Sequence, residues 1–171
     1  MVLRFVLCAA ICVGCSTVTV SSKYDKAYPP PHYATYGWGN THDKNPDTDK
    51  RVRSAIEEEF STRGYRLVRS GEKPRFLINY DTEVEQRLAK NDMEFAFTGT
   101  DESVVQYAQP GPVVFPYNEG RLQIELIDPL EKRVVWRGEG TRIVAKDNLS
   151  DAQIDDAVKK VFEKFPVPAE P

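Results

Sequence analysis

The sequence predicts an α+β domain in which two amphipathic helices pack on one face of a mostly antiparallel β-sheet. Two observations predict the sheet, because apolar and polar residues alternate from residue 75 into the 80s and again over residues 121–145, as in strands with one buried face. A third predicts the helices, since apolar residues recur every three or four positions in residues 50–63 and 151–164.

The length and charge of the chain narrow the function classes. A chain of 171 residues is long enough for one domain with its own core. It has 23 basic and 26 acidic residues, for a formal net charge of -3, and both signs are interspersed. A nucleic-acid-binding protein would carry a basic stripe or patch, so we expect no nucleic-acid partner.

All three cysteines lie near the start of the chain, at Cys8, Cys12 and Cys15. A disulfide framework or a zinc site would need further cysteines, or histidines at fixed spacings, in the body of the chain. The sequence therefore predicts no disulfide, metal or other cofactor in the mature domain.

Residues 1–14 have the parts of a secretory signal peptide. Arg4 gives a basic start, residues 5–13 form an apolar run, and Gly14 is a small residue before Cys15. The run is much shorter than the roughly 20 residues that cross a bilayer. We therefore predict cleavage after Gly14, which leaves residues 15–171 as a single α+β envelope domain.

Val13, Gly14 and Cys15 resemble a lipobox, the signal at which bacteria attach lipid to the cysteine and cut the peptide before it. Cys12 stands where a lipobox usually has leucine, and the alternative is an ordinary signal peptidase site at or just after Gly14. Ser16 resembles the sorting signal for the outer membrane. We expect a lipoprotein acylated on Cys15, palmitate included, and held at the outer membrane facing the periplasm by its acyl chains.

The first part of the mature chain contains two extended segments. Residues 16–22 alternate as a strand, prolines 29–31 form a polyproline connector, and a second extended stretch contains Tyr33, Tyr36 and Trp38. These aromatic residues have two interpretations, a recognition patch for peptide, glycan or lipid, or packing in the core or an interface. We favour packing.

Residues 43–49 are predicted to form a polar loop. Four of its side chains have the alternate spacing that opens a calcium-binding loop: Asp43, Asn45, Asp47 and Asp49. An EF-hand loop also needs glycine and glutamate where this sequence has Thr48 and Ser54. We therefore expect these side chains to bond nearby backbone amides rather than a metal.

The next elements are a helix, a short strand and a long strand. In residues 50–63 an apolar stripe ends at Gly64, which suits a left-handed cap, and residues 65–68 form the short strand. The long strand from Arg75 places Phe76, Ile78 and Tyr80 on one face, and Asp81, Glu83 and Glu85 on the other. The three acids are candidate catalytic carboxylates, but such a row more often faces water.

Alternation weakens between residues 89 and 119. Residues 93–98 are a candidate strand, and residues 99–118 form a long irregular segment in which Tyr107, Phe115 and Tyr117 stand among prolines. Long irregular segments in compact domains are often functional, which makes this one a candidate binding segment. Disorder is the alternative.

The last elements are a β-hairpin of residues 121–128 and 132–145 and a helix of residues 151–164. Gly138 and Gly140 indicate either a bulge or a close backbone approach in the hairpin. Ser150 and Gln153 predict a capping box at the start of the helix.

Several of these segments, in this order and spacing, resemble a family of small bacterial lipoproteins catalogued only as domain of unknown function 4136. The resemblance covers nearly the whole mature chain, and its strongest phrases are Tyr33–Trp38, Asp49–Ile56, Glu59–Tyr65, Gly120–Asp128 and Val134–Gly138. It implies an α+β envelope lipoprotein and brings no reaction or functional residues. Glu131 and Lys132 stand where the family usually has a Thr-Gly pair in the hairpin turn.

No motif in the sequence predicts catalysis. His32 and His42 lie in loops without a cysteine or an evident carboxylate-serine partner, and a lone loop histidine is usually a solvated residue. We therefore predict a non-enzymatic binding or scaffold module, tethered to the membrane through Cys15. We expect it to bind a partner protein or other envelope component through an exposed edge of its sheet or through the long irregular segment. The alternatives are a cell-wall hydrolase with an Asp/Glu pair and a carrier with an apolar cavity for a small ligand or lipid.

Overall fold

The computed structural model describes residues 18–25, 35–39, 41, 45–91, 113–145 and 149–166. Within these residues the elements are β1 (Thr19–Tyr24), β2 (Thr35–Trp38), α1 (Pro46–Thr62), β3 (Arg66–Leu67), β4 (Phe76–Asn91), β5 (Val113–Asp128), β6 (Arg133–Val144) and α2 (Asp151–Phe162). The strands form one sheet in the order β1-β6-β5-β4-β2-β3. β2 is parallel to both of its neighbours and every other pairing is antiparallel, which confirms the predicted fold class.

Both helices cover the same face of the sheet. The buried residues of that face come from four strands and include Tyr36, Phe76, Ile78, Tyr80, Leu122, Ile124, Leu126 and Trp136. α1 adds Val52, Ile56 and Phe60, and α2 adds a similar apolar stripe. Arg51 of α1 and Asp155 of α2 form an ion pair between the helices. The opposite face of the sheet is largely polar.

α1 begins four residues before its predicted start. The side chain of Asn45 accepts hydrogen bonds from the backbone amides of Asp47 and Thr48, and Pro46 occupies the first turn, where its missing N–H costs nothing. Asp47 and Asp49 favour the positive end of the helix. The prediction of a loop through residue 49 was therefore wrong, although the predicted bonding of local amides is confirmed for Asn45.

β4 and β5 are longer than predicted and pair continuously from Leu77 with Ile127 to Asn91 with Val113. Residues 113–118 therefore belong to a strand, and the prediction of an irregular segment was wrong there. Residues 93–98 and the rest of the predicted segment lie outside the described residues.

Pro116 is compatible with this strand because of the side to which its backbone points. The carbonyl of Ile78 accepts a hydrogen bond of 2.9 Å from Gly39, beside β2, and backbone groups of alternate residues point to opposite sides of a strand. Even-numbered residues of β4 thus face away from β5, and even-numbered residues of β5 face β6. Since the pairing of β6 ends at Asn118, the missing N–H of Pro116 breaks no ladder bond.

The glycines of the β5–β6 hairpin mark a close backbone approach, one of the two predicted alternatives. A Cβ atom built on Gly138 would lie 2.6 Å from the Trp136 ring and from Val161 of α2. The bulge occurs elsewhere, between Leu126 and Ile127. In the turn, Lys132 has a φ of 53°, a left-handed conformation that glycine adopts more easily. The predicted capping box of Ser150 and Gln153 is confirmed.

Candidate functional site

The side of β4 that faces away from β5 is the candidate binding surface. β2 pairs with it only from Phe76 to Ile78, and no strand among the described residues pairs with it further along. The backbone N–H and C=O groups of Val84, Gln86 and Leu88 point to this side, because even-numbered residues face away from β5. We call residues 84–88 the β4 edge.

Apolar side chains are exposed around this edge. Leu88 is 69% exposed and Val114 47%, and both lie on the helix side of the sheet beyond the part that the helices cover. Phe115, 45% exposed, and Ile143, 66% exposed, lie on the outer side. The four lie on both faces and on three strands, β4, β5 and β6, so Leu88 is the exposed apolar side chain that an occupant of the edge would contact.

Charged side chains of the β4 edge lie on the outer face of the sheet. Glu85 is directly opposite Glu119 of β5. Arg87 forms ion pairs with both carboxylates, with nitrogen-to-oxygen distances of 3.3 Å to Glu85 and 2.8 Å to Glu119. One guanidinium therefore compensates two acids.

The predicted row of acids lies exposed on the outer face of the sheet. Asp81 and Glu83 are exposed and share Arg121 of β5, at 3.3 Å and 2.5 Å. Glu85 bonds Arg87 instead. One guanidinium therefore holds the carboxylates of Asp81 and Glu83 side by side on one strand, whereas a glycosidase needs two carboxylates on either side of the bond that it cleaves.

A second polar cluster, which the sequence did not predict, lies where α1 meets β2 and β4. The guanidinium of Arg53 lies 4.7 Å from the centre of the Trp38 ring and donates a 2.9 Å bond to Asp49. The Tyr80 hydroxyl donates to the same carboxylate, and the Trp38 Nε1 group donates to Glu57 at 3.2 Å. The cluster ties the helix to the sheet.

The pKa values in this region favour a structural role. Burial raises the pKa of Tyr36 to about 12, helped by the negative charge of Glu57, and burial and the bond to Asp49 also raise the pKa of Tyr80. Burial raises the pKa of Asp49 too, but the hydrogen bonds from Tyr80 and Arg53 lower it by more. At neutral pH both phenols are therefore protonated and the carboxylate is charged, so neither phenol is available as a base.

The aromatic residues of β2 pack as the favoured interpretation predicted. Tyr36 is 2% exposed, and its ring centroid is 5.0 Å from that of Phe60. Trp38 is half-buried and contacts the Tyr80 ring edge-on at 6.0 Å. They belong to the core rather than to a recognition patch.

The described residues contain neither a metal-binding cluster nor a membrane-spanning helix. No group of three or more His, Cys, Asp and Glu side chains in that part of the chain is arranged to hold a metal ion. No helix described by the structure combines the length and the apolar character of a membrane span.

A family model described as domain of unknown function DUF4136 matches residues 20–167. This match spans most of the chain. The chain belongs to the DUF4136 family. The resemblance inferred from the sequence phrases is thereby confirmed, and no curated protein matches the chain.

Solved structures resemble this DUF4136 domain at low sequence identity. A PDZ domain protein from Parabacteroides distasonis superposes with a TM-score of 0.59 at 13% identity over 90% of this chain, and the match covers 37% of that protein. A DUF4136 family protein from Bacteroides thetaiotaomicron has 16% identity over 86% of this chain and 95% of its own, with a TM-score of 0.48. The PelC dodecamer from Paraburkholderia phytofirmans has 15% identity over 85% and 95%, with a TM-score of 0.48.

Several predicted site residues of the DUF4136 chain lie outside the described residues. These are Cys15, His32, Tyr33, His42, Asp43 and Tyr107. The lipid on Cys15 therefore stays a prediction. Among the described positions, Phe115 and Tyr117 of the predicted irregular segment lie on β5. They are paired with Ala89 and Arg87 of β4, the strand that carries the exposed edge.

Proposed function

We propose that this protein is a non-enzymatic module of the bacterial envelope, lipid-anchored at Cys15, which binds another protein chain by strand addition to the β4 edge. The observation that supports this proposal is the outward direction of the backbone groups of Val84, Gln86 and Leu88. In strand addition, such groups provide main-chain hydrogen bonds and the neighbouring side chains provide specificity.

The surroundings of the β4 edge suit a protein partner. Natural sheets usually shorten, cover or charge an exposed edge to prevent pairing, and here the edge belongs to a 16-residue strand. It carries Glu85 and Arg87, which add charge, but it also exposes Leu88. An added strand would cover that apolar side chain together with the open backbone groups.

The proposed anchor would hold the domain close to the membrane. Val18 is buried in the domain, with 9% of its surface exposed, and β1 begins at the next residue. Three residues from Cys15 to Val18 span at most about 11 Å. A partner on the β4 edge would therefore be bound within the envelope layer next to the membrane.

The edge can be tested with a photo-reactive amino acid in place of Leu88 in cells that express the full chain. We expect protein adducts, and we expect Gln86→Pro to reduce their yield roughly tenfold, because proline removes an outward N–H and adds bulk toward the added strand. The N–H of residue 86 makes no bond to β5, so the sheet should keep its ladder.

The matched control places the same photo-reactive amino acid at Leu130, which is 80% exposed at the other end of the sheet. This position should give no adduct that depends on Gln86. Equal adduct yields with and without Gln86→Pro, in a chain that unfolds at an unchanged temperature, would contradict the proposal.

The anchor has a separate test. Cys15→Ser should abolish labelling by a radioactive or clickable fatty acid and move the protein from the membrane fraction to the periplasmic extract, because the acyl chains supply the membrane affinity. Cys8→Ser, at a position upstream of the lipobox, is the control and should leave both unchanged. Acyl labelling that persists in the Cys15→Ser chain would rule out lipid on this residue.

A further inference from the structure

We propose that the strand added to the β4 edge comes from a second copy of this chain, paired antiparallel across a two-fold axis at Gln86. This proposal rests on the proposed function, since it uses the same edge and names its partner. The occupant follows from the charge pattern of the edge, which complements itself in one register.

The backbone allows only registers that pair even-numbered residues with each other. Val84, Gln86 and Leu88 direct their N–H and C=O groups outward, and an antiparallel hydrogen-bonded pair needs two residues that face each other in this way. A symmetric pair of β4 edges meets this condition when its axis passes through one residue of the strand. Residues 84 to 88 are the possible centres within the β4 edge.

Charge separates these five registers. A centre at Glu85 places that acid opposite its own copy, a centre at Arg87 does the same for the base, and a centre at Val84 places Glu83 opposite Glu85 twice. Like charges directly opposite each other destabilise a sheet. These three registers are disfavoured. A centre at Leu88 places Arg87 opposite Ala89, so it brings no opposite charges together across the axis.

The register centred on Gln86 has no such conflict. It places Glu85 of each copy opposite Arg87 of the other, and Val84 opposite Leu88, twice each. The charged pairs occupy the non-hydrogen-bonded positions, where side chains approach most closely. The Val84–Leu88 pairs lie on the helix side and would cover a leucine that is 69% exposed in the single chain.

The second copy also completes a charge arrangement that one chain leaves unbalanced. Within one chain, Arg87 is shared between Glu85 and Glu119, which lie opposite each other on the ladder. In the pair, the guanidinium of each copy keeps Glu119 and faces Glu85 of the other. Each of these acids then has a base directly beside it.

A two-fold axis through Gln86 is also compatible with the proposed anchors. β1 and β4 are separated by β6 and β5 in the sheet, so the two β1 strands would lie at the outer margins of the joined sheets. An axis perpendicular to the sheet keeps both margins at the same height. The two β1 strands, to which the proposed anchors lead, then lie at the same distance from a bilayer that is parallel to the sheet.

Cysteine crosslinking of the full chain in membranes tests the register. Gln86→Cys should form a disulfide-linked dimer under mild oxidation, because facing hydrogen-bonded residues have Cα atoms about 5.5 Å apart, within the range of a disulfide. Val84→Cys alone should not, since four residues of offset separate its two copies by about 13 Å. Mixing Val84→Cys and Leu88→Cys chains should restore the crosslink. The unmodified chain is the control for any crosslink that forms through Cys15.

Charge exchange tests the same register without new cysteines. Glu85→Arg and Arg87→Glu should each weaken self-association of the detergent-solubilised full chain roughly tenfold in sedimentation equilibrium, because each places like charges opposite each other twice. The double variant Glu85→Arg/Arg87→Glu restores opposite charges in the pair and against Glu119, and should restore the affinity of the unmodified chain.

A monomer at all concentrations, or a dimer that crosslinks equally at Val84 and Gln86, would overturn the second copy as the partner. The proposed function is tested by a different result. If the photo-reactive residue at position 88 captures a different protein and Gln86→Pro abolishes that capture, strand addition to the β4 edge is supported and only the second copy as partner is contradicted.

Discussion

Phe60→Ala is expected to destabilise the fold by about 4 kcal/mol, within the range measured for removal of a buried phenylalanine ring. Phe60 is fully buried in α1, and its ring centroid lies within 6 Å of five other aromatic rings, those of Tyr36, Tyr65, Phe76, Phe162 and Phe165. These rings come from the sheet, from α2 and from the segments that follow the two helices, so no single neighbour can move to fill the cavity.

Thermal unfolding followed by circular dichroism measures this effect. For a domain of this size, a loss of about 4 kcal/mol lowers the midpoint by roughly 10 °C. The control is Phe115→Ala, which removes the same ring from a position that is 45% exposed and should change stability by less than about 1 kcal/mol. Similar losses for the two variants would show that the core is not organised around Phe60.

The helices could be predicted because their signals are local. Ser150 and Gln153 define the start of α2 by bonds within four residues, and the apolar stripe of each helix is visible in the sequence. The start of α1 was missed since its acids suggested a loop, while Pro46 and Asn45 already had the spacing of a first turn and its cap.

The sheet was predicted less completely because pairing depends on distant residues. Residues 113–118 show no alternation because apolar side chains occupy both faces there, Val114 on the helix side and Phe115 on the outer side. The parallel insertion of β2 beside β4 also has no local signal. It follows from the packing of Tyr36 against Phe60 and Phe76.

The sequence predicted the type of binding site but not the strand that carries it. An exposed strand edge was expected from the sequence, yet its assignment to β4 needs the strand order and the side to which residue 86 points. The cluster of Asp49, Arg53 and Tyr80 was missed for a related reason. Asp49 and Arg53 face each other only once α1 is known to include residue 49.

Gly138→Ala is expected to cost about 3 kcal/mol although it adds a single methyl group. The new Cβ atom would lie 2.6 Å from the Trp136 ring and 2.6 Å from Val161 Cγ1. Trp136 is 1% exposed and Val161 fully buried, so neither can turn aside, and overpacking of this kind typically costs 1–3 kcal/mol or somewhat more. The glycine exists here because α2 lies directly on the backbone of β6.

Gly120→Ala is the matched control in the neighbouring strand. Its Cβ atom would lie 3.3 Å from Val144 and 3.6 Å from Leu149, and both glycines lack a positive φ, so backbone strain does not distinguish them. The alanine also restricts the unfolded chain, which favours folding by about 0.4–1 kcal/mol. We therefore expect Gly120→Ala to be nearly neutral in urea unfolding.

The double variant Gly138→Ala/Val161→Ala identifies the cause. Truncating Val161 removes one of the two groups that the new methyl group meets, so the double variant should be more stable than the sum of the single losses predicts, by about 1 kcal/mol or more. The Trp136 contact remains, and rescue should be partial. Strict additivity would mean that α2 does not press on β6 at this point, and that another contact requires the glycine.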